Sequence, residues 1–159
     1  MPSEKKTEDN RLVAILKTGL LAGVLDISAA LIYQFISGNK NPLGIFKFIA
    51  SGVFGDDAFT SGRIMIAWGL LFHFLIAIIV TAIYFFIYPK LRFLSRNIVA
   101  SGLFYGLCVW LIMNLIILPV SNAPLIPFRI IGSVVGIIIL MFAVGLPVSV
   151  LAYRYYSKK

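Results

Sequence analysis

Three polar side chains interrupt long apolar stretches of the sequence, where a polar group is costly. Asp26 is the only charged residue of the run 18–36, His73 is the only histidine of the chain, and Asn114 lies in a stretch without charge. Placing a charged side chain at the centre of a bilayer costs at least about 2.5–3.5 kcal/mol on insertion scales. Asp26 and His73 form the pair whose charge can change near neutral pH, and they predict a proton- or ligand-handling site.

The predicted depths of the three residues agree with one another. By the α-helical rise of about 1.5 Å per residue, each lies about 21–26 Å from the inner end of its helix, in the outer half of the bilayer. Polar groups at one level can hydrogen-bond to one another and fix the register of the helices, which is the structural alternative to a functional site. The residues that could extend this layer towards the outer surface are Ser28, Gln34 and Arg129.

Catalysis and metal binding are not indicated by these residues. Neither a serine nor the single cysteine, Cys108, is placed as a nucleophile beside the one histidine. One His, one Asp and one Asn lack the paired spacing that is typical of metal ligands. We therefore predict no catalytic residues, no metal and no cofactor, and a membrane-embedded enzyme is the least favoured alternative.

The elements that must position these side chains are apolar helices. Of the 159 residues, 60% are hydrophobic and 13% are charged, whereas soluble domains are about 25% charged. Four segments, at about 12–36, 64–88, 97–120 and 126–153, have the roughly 20 apolar residues that a membrane-spanning helix needs. The sequence predicts an all-α polytopic membrane protein with four transmembrane helices in an antiparallel bundle, between tails at 1–11 and 155–159.

Lysine and arginine predict the orientation of the chain. With the amino terminus inside, ten of the 14 basic residues fall on the cytoplasmic side and four on the outer side, as the positive-inside rule requires. Both termini are then cytoplasmic, and we expect the bacterial inner membrane. The net charge of +8 follows from these clusters. Because such clusters meet anionic lipid head groups, we predict the lipid bilayer, and not nucleic acid, as the partner.

The segment 42–54, between the first two predicted spans, has a helical pattern but is too short to cross a bilayer. Gly44, Lys47, Ser51 and Gly55 recur every three or four residues and form one small or polar face, while bulky apolar residues cover the rest. Such a helix is external and either interfacial or re-entrant. It either lies on the outer leaflet or forms a lid over a site, and the sequence leaves both alternatives open.

Pairs of small residues predict where the helices pack closely. Pairs of small residues four positions apart let helices approach closely in lipid, and we predict that they pack within the molecule before they serve dimerisation. The pairs are Gly19 with Gly23, Gly102 with Gly106, and Gly132 with Gly136.

Aromatic rings at the inner ends of the second and fourth spans predict an interfacial belt. Its members are Tyr84, Phe85, Phe86, Tyr88, Tyr153, Tyr155 and Tyr156.

Five segments carry a resemblance to a known group of proteins. They read GLLAGVLDISAA (19–30), FKFIASGVFG (46–55), LLFHFLIA (70–77), GLFYGLCVWLIMNLIILPVS (102–121) and VGLPVSV (144–150). In this order they resemble a family of uncharacterised bacterial inner-membrane proteins with four helices. The glycine-rich helix and proline-containing loop from Gly102 to Pro127 are more distantly similar to YagU-like inner-membrane proteins, which implies a role in acid tolerance. The resemblance implies a fold and a location, and no catalytic residues.

From these observations we expect a small, non-enzymatic inner-membrane protein that responds to protons through Asp26 and His73. It would be a component of transport or envelope homeostasis, or accessory to it. The alternative is a proton-coupled transporter or channel that uses the same two residues. Because four helices rarely enclose a pathway alone, that alternative requires a homo-oligomer, whereas the accessory role requires an unknown membrane partner.

Overall fold

The described part of the chain is helical. The computed structural model describes residues 2–124 and 129–157, with side chains from Asn10 onward, and these residues contain no β-strand. Four helices are long and apolar enough to cross a membrane, which confirms the predicted number. We call them spans 1 to 4: they are Asn10–Ile36, Ile64–Lys90, Ile98–Val120 and Ile130–Ser157.

The helix bounds differ from the predicted ones at two places. The first helix begins at Pro2 and runs to Ile36, so the segment predicted as an amino-terminal tail continues the helix. The fourth begins at Ile130; the predicted start at 126 lies outside the described residues.

Shorter helices connect the spans: Gly44–Phe54, which we call the loop helix, Asp57–Thr60 and Arg92–Arg96. A 3₁₀ turn, Tyr88–Lys90, ends span 2.

Spans 3 and 4 each contain a π-helical segment. These segments are Met113–Ile117 and Leu140–Gly145. A proline lacks an N–H group, and its ring clashes with the carbonyl four residues earlier in an α-helix. Pro119 and Pro147 follow the two segments, where the N–H groups of Leu118 and Leu146 bond to the carbonyls five residues before them. This wider turn lets each helix pass through its proline, and span 3 ends one residue after Pro119, at Val120.

Glycines set how closely the spans approach one another. A Cβ atom at Gly19 would lie 2.9 Å from the Cα of Ile78, and one at Gly23 would lie 2.8 Å from the Phe74 ring, so this pair packs span 1 on span 2. A Cβ at Gly102 would lie 2.9 Å from the carbonyl oxygen of Gly145 in span 4.

The remaining paired glycines behave differently from one another. A Cβ at Gly106 would collide with the backbone of Met141, so the second pair packs span 3 on span 4. In the third pair, Gly136 faces the Trp110 indole nitrogen, at 3.1 Å from a Cβ, whereas the nearest atom to Gly132 is the Cβ of Arg129 at 3.9 Å. The third pair is therefore not a close helix–helix contact at both positions.

The loop helix packs against span 2 through a glycine that the sequence patterns did not single out. A Cβ at Gly69 would overlap the backbone carbonyl of Phe46. Phe46, Ala50 and Ser51 are buried, and the Phe54 ring contacts the Trp68 ring with centroids 5.6 Å apart. The loop helix is therefore part of the packed structure.

The predicted aromatic belt is wrong for three of its members. Tyr84, Phe85 and Tyr88 are buried, with 3%, 0% and 4% of their surfaces exposed. The Tyr156 hydroxyl donates a hydrogen bond to the Phe85 carbonyl at 2.6 Å, and the Tyr84 hydroxyl bonds to the Ser101 hydroxyl at 2.6 Å. These rings lie on the face of span 2 that meets the other helices, and the count of aromatic residues does not reveal that face.

The glycine contacts lead to a matched pair of substitutions. Gly106→Ala places a methyl group against the backbone of span 4, so we expect the unfolding free energy to fall by about 1–3 kcal/mol, the usual cost of overpacking. Gly132→Ala adds the same methyl group at ordinary van der Waals distance from its nearest neighbour, and it should be neutral or stabilising because glycine is the poorer helix former. Denaturant titration in mixed micelles measures both. Equal effects of the two variants would contradict the packing described here.

Candidate functional site

Asp26 and His73 face the same cavity. Its volume is about 260 Å³, and all four spans and the loop helix contribute to its wall. Of the described residues that line it, only these two carry ionisable groups. The other lining side chains are apolar: Ile27, Ala30, Ile45, Phe48, Ile49, Ile76, Ala77, Val80, Val109, Met113 and Val144. The structure therefore places a carboxyl group and an imidazole, from different helices, in one small apolar chamber.

A hydrogen bond holds the His73 ring towards span 1. Its Nε2 lies 2.9 Å from the carbonyl oxygen of Gly23, which is three residues before Asp26 and therefore about one turn away. Because a carbonyl oxygen can only accept, Nε2 must carry the proton in this bond. The Nδ1 atom is then the ring nitrogen that carries no proton in the neutral imidazole. The absence of a side chain at Gly23 lets span 2 approach closely enough for this bond.

Asn114 lies at a second cavity, which meets the first at Asp26. This cavity has a volume of about 230 Å³, and Asp26, Tyr33 and Asn114 contribute to its wall. The Asn114 amide nitrogen donates to the Trp110 carbonyl at 2.9 Å, within its own helix. Asn114 belongs to the π-helical segment of span 3, whose wider turn accompanies Pro119. Asp26 thus lies between two cavities, one shared with His73 and one shared with Asn114.

The three predicted layer residues surround common space but do not bond to one another. In the described part of the chain, no hydrogen bond joins the side chains of Asp26, His73 and Asn114; the imidazole and the amide each bond to a backbone carbonyl. The structural alternative, a mutual network of the three side chains, is therefore not what these residues form. What the structure shows is a carboxyl group at the junction of two cavities.

The residues predicted to extend the layer fall in different places. Gln34 lines the second cavity, and its side-chain oxygen accepts a hydrogen bond from Asn39 at 3.1 Å. Ser28 is exposed and is not among the residues lining either cavity. Arg129 is also exposed and directly precedes span 4. The structure therefore joins only Gln34 to the site.

Several residues of the site were not singled out by sequence reasoning. Ile45, Phe48 and Ile49 bring the loop helix into the wall of the first cavity, and Leu140 and Met113 come from the two π-helical segments. Pro119 and Pro147 were the available signal for those segments, because a proline within an apolar span requires a local change of hydrogen bonding.

The arrangement brings two ionisable groups to the wall of one apolar cavity. In apolar surroundings an isolated charge costs several kcal/mol unless a partner or a hydrogen bond stabilises it. Among the described residues, no group of three or more His, Cys, Asp and Glu side chains could hold a metal ion.

Comparison of the chain with models of protein families, with curated proteins and with solved structures found no match.

The hydrogen bond to Gly23 leads to a spectroscopic prediction. Because His73 is the only histidine, nitrogen-15 labelling of histidine reports this ring alone. We expect the neutral ring to be the Nε2–H tautomer, since its Nε2 donates to a carbonyl. Solid-state or micelle NMR distinguishes the two tautomers by their nitrogen shifts. A neutral ring protonated on Nδ1 would show that the bond to span 1 is absent.

Proposed function

We propose that the protein is a non-enzymatic integral protein of the bacterial inner membrane that responds to protons through Asp26 and His73. It acts as a component of transport or envelope homeostasis, or as an accessory to it. The observation that carries this proposal is the shared cavity. Asp26 and His73 both line it, and the other lining side chains are apolar. An ionisable residue within a membrane is costly, which makes it a candidate for function.

The surface of the helices supports the membrane location. Large apolar side chains are exposed along the spans, among them Leu21, Leu71, Ile79 and Leu115, and a soluble protein rarely exposes apolar patches of that extent. We propose that the spans form an antiparallel bundle with both termini in the cytoplasm, in agreement with the distribution of Lys and Arg.

We propose further that the loop helix is re-entrant and forms the lid of the Asp26–His73 cavity. Phe46 packs at Gly69, five residues into span 2 and therefore about 8 Å from its end. The far end of the loop helix is bound by Asn122, whose backbone and side-chain nitrogens donate to Gly52 and Val53 carbonyls at 3.0 and 3.1 Å. A non-spanning segment is tolerated at such depth when protein surrounds it.

Trp110 offers an optical test of the proton response. It lines the second cavity together with Asp26, and Trp68→Phe leaves it as the sole tryptophan of the chain. In that background we expect its emission to change with pH, because the proposed site at the wall of this cavity gains or loses a proton. Asp26→Asn should abolish the change, because the pair loses its carboxyl group, and His73→Gln should also abolish it.

The control for this test is Asp56→Asn, which removes an exposed acid and should leave the pH response intact. An unchanged response in the Asp26→Asn protein, with helical content preserved by circular dichroism, would refute the proposal.

A second candidate function is a proton-coupled transporter or channel. The observation that favours it is the position of Asp26 at the walls of two cavities. This function requires a homo-oligomer, because four helices rarely enclose a pathway alone.

Proton flux in liposomes tests the transport function directly. Asp26→Asn should reduce the flux to that of empty vesicles, whereas Asp57→Asn, an exposed acid, should not change it. Native mass spectrometry of the extracted protein should then show several copies of the chain. A foreign subunit in fixed proportion, without flux, would favour the accessory role.

A further inference from the structure

Two lateral grooves lie one above the other between spans 2 and 3, and we call the two together the groove. Close glycine contacts join span 2 to span 1 and span 3 to span 4, and no comparable glycine contact draws spans 2 and 3 together in the described chain. Between them lies an upper groove of about 480 Å³, bordered by the loop helix, and a lower groove of about 240 Å³. In span 2 the lining extends from Phe72 to Ile87, which corresponds to about 22 Å of helix.

The lower groove is apolar and open to the side. Ile83, Phe104 and Ile112 line it and are between 45% and 53% exposed. Its floor is formed by Tyr84 and Tyr105, whose ring centroids are 4.5 Å apart. A groove with this lining is poorly solvated by water and is filled favourably by a flexible hydrocarbon chain.

Basic residues lie at the inner end of the groove. From Lys90, the last residue of span 2, the chain reads KLRFLSR. Leu91 and Leu94 line the lower groove, whereas Lys90, Arg92 and Arg96 are exposed. The Phe93 ring contacts the Phe104 ring, with centroids 6.2 Å apart, and so holds this linker to span 3.

The sequence supplies few counter-ions for this basic cluster. No acidic residue follows Asp57 anywhere in the chain, so spans 2 to 4 and their linkers contain none. Arginine binds phosphate oxygens in a bidentate manner, and basic residues at the cytoplasmic end of helices bind anionic head groups.

We infer that the groove binds one acyl chain of an anionic phospholipid from the cytoplasmic leaflet, whose phosphate is held by Lys90, Arg92 and Arg96. The inference rests on the proposed membrane orientation but not on the proton response of Asp26 and His73. The dimensions agree: Ile76 lies about 16 Å along span 2 from Ile87, and one leaflet of hydrocarbon is about 15 Å thick.

The bound chain would have a structural consequence for the proton site. Val80 and Val109 line both the lower groove and the Asp26–His73 cavity, and Ile76 and Met113 line both the upper groove and that cavity. An acyl chain in the groove therefore packs against the lateral wall of the cavity. The lipid supports the wall that separates the two ionisable groups from the bilayer.

Native mass spectrometry of the full chain, titrated with phosphatidylglycerol or with phosphatidylcholine of the same acyl chains, tests the head-group site. The wild type should retain one phosphatidylglycerol and prefer it to phosphatidylcholine. Arg92→Gln with Arg96→Gln should weaken this binding about 30-fold, from the usual contribution of a basic residue near an anionic surface. The control is Lys17→Gln with Arg154→Gln, which removes the same charge from two exposed positions at the same end.

A second pair of variants tests the groove itself. Cys108→Phe fills the lower groove and should abolish retention of the lipid, whereas Val99→Phe, at an exposed position of the same helix, should not. For the wild type in bilayers, phosphatidylglycerol with a photoreactive group at the end of one acyl chain should label residues near Ile76 and Val80. This last measurement needs no variant, so it decides the matter even if Cys108→Phe does not fold.

Several outcomes would overturn the inference. Equal weakening by both charge pairs, or equal binding of the two phospholipids, would indicate unspecific electrostatics or annular lipid. Competition by inorganic phosphate together with unchanged binding in Cys108→Phe would indicate a free-anion site without an acyl chain. Asp26→Asn should retain the lipid, so loss of the Trp110 response and loss of lipid binding remain separate results.

Discussion

Close backbone contact at glycine is the constraint on which the rest of this structure depends. In lipid, apolar side chains gain little by packing on one another, so helices associate where small residues let their backbones meet. Gly19 and Gly23 bring span 1 to span 2, and Gly102, Gly106 and Gly145 bring span 3 to span 4. The contact between spans 1 and 2 places the His73 ring within hydrogen-bond distance of the Gly23 carbonyl, about one turn from Asp26. The same pairing leaves spans 2 and 3 apart, which creates the groove.

The space around Asp26 comes from departures from regular helix. Pro119 and Pro147 require wider turns before them, and the π-helical segments that result contribute Met113, Asn114 and Leu140 to the cavity walls. The loop helix closes the first cavity with Ile45, Phe48 and Ile49. These irregular segments contribute to the walls of the two cavities that Asp26 lines.

The proposed proton site and the proposed lipid site share a wall. Four residues line both the Asp26–His73 cavity and the groove: Ile76, Val80, Val109 and Met113. Electrostatic interactions inside the cavity are strong only while water is excluded from it. A hydrocarbon chain in the groove would maintain that exclusion.

The sequence by itself determined the four long apolar helices, because runs of about 20 apolar residues have few other stable forms. It also led to the prediction that Asp26, His73 and Asn114 share a depth, since the helical rise is fixed at about 1.5 Å per residue. It did not determine which faces meet. Spans that are apolar all round carry no stripe to indicate their rotation, so the burial of Tyr84 and Phe85, the contact of Phe46 with Gly69 and the exposure of Ser28 could not be predicted. Only the tertiary structure decided that Asp26 shares its surroundings with His73 and Asn114 without bonding to them, because rotation and spacing follow from backbone contacts between residues far apart in the chain.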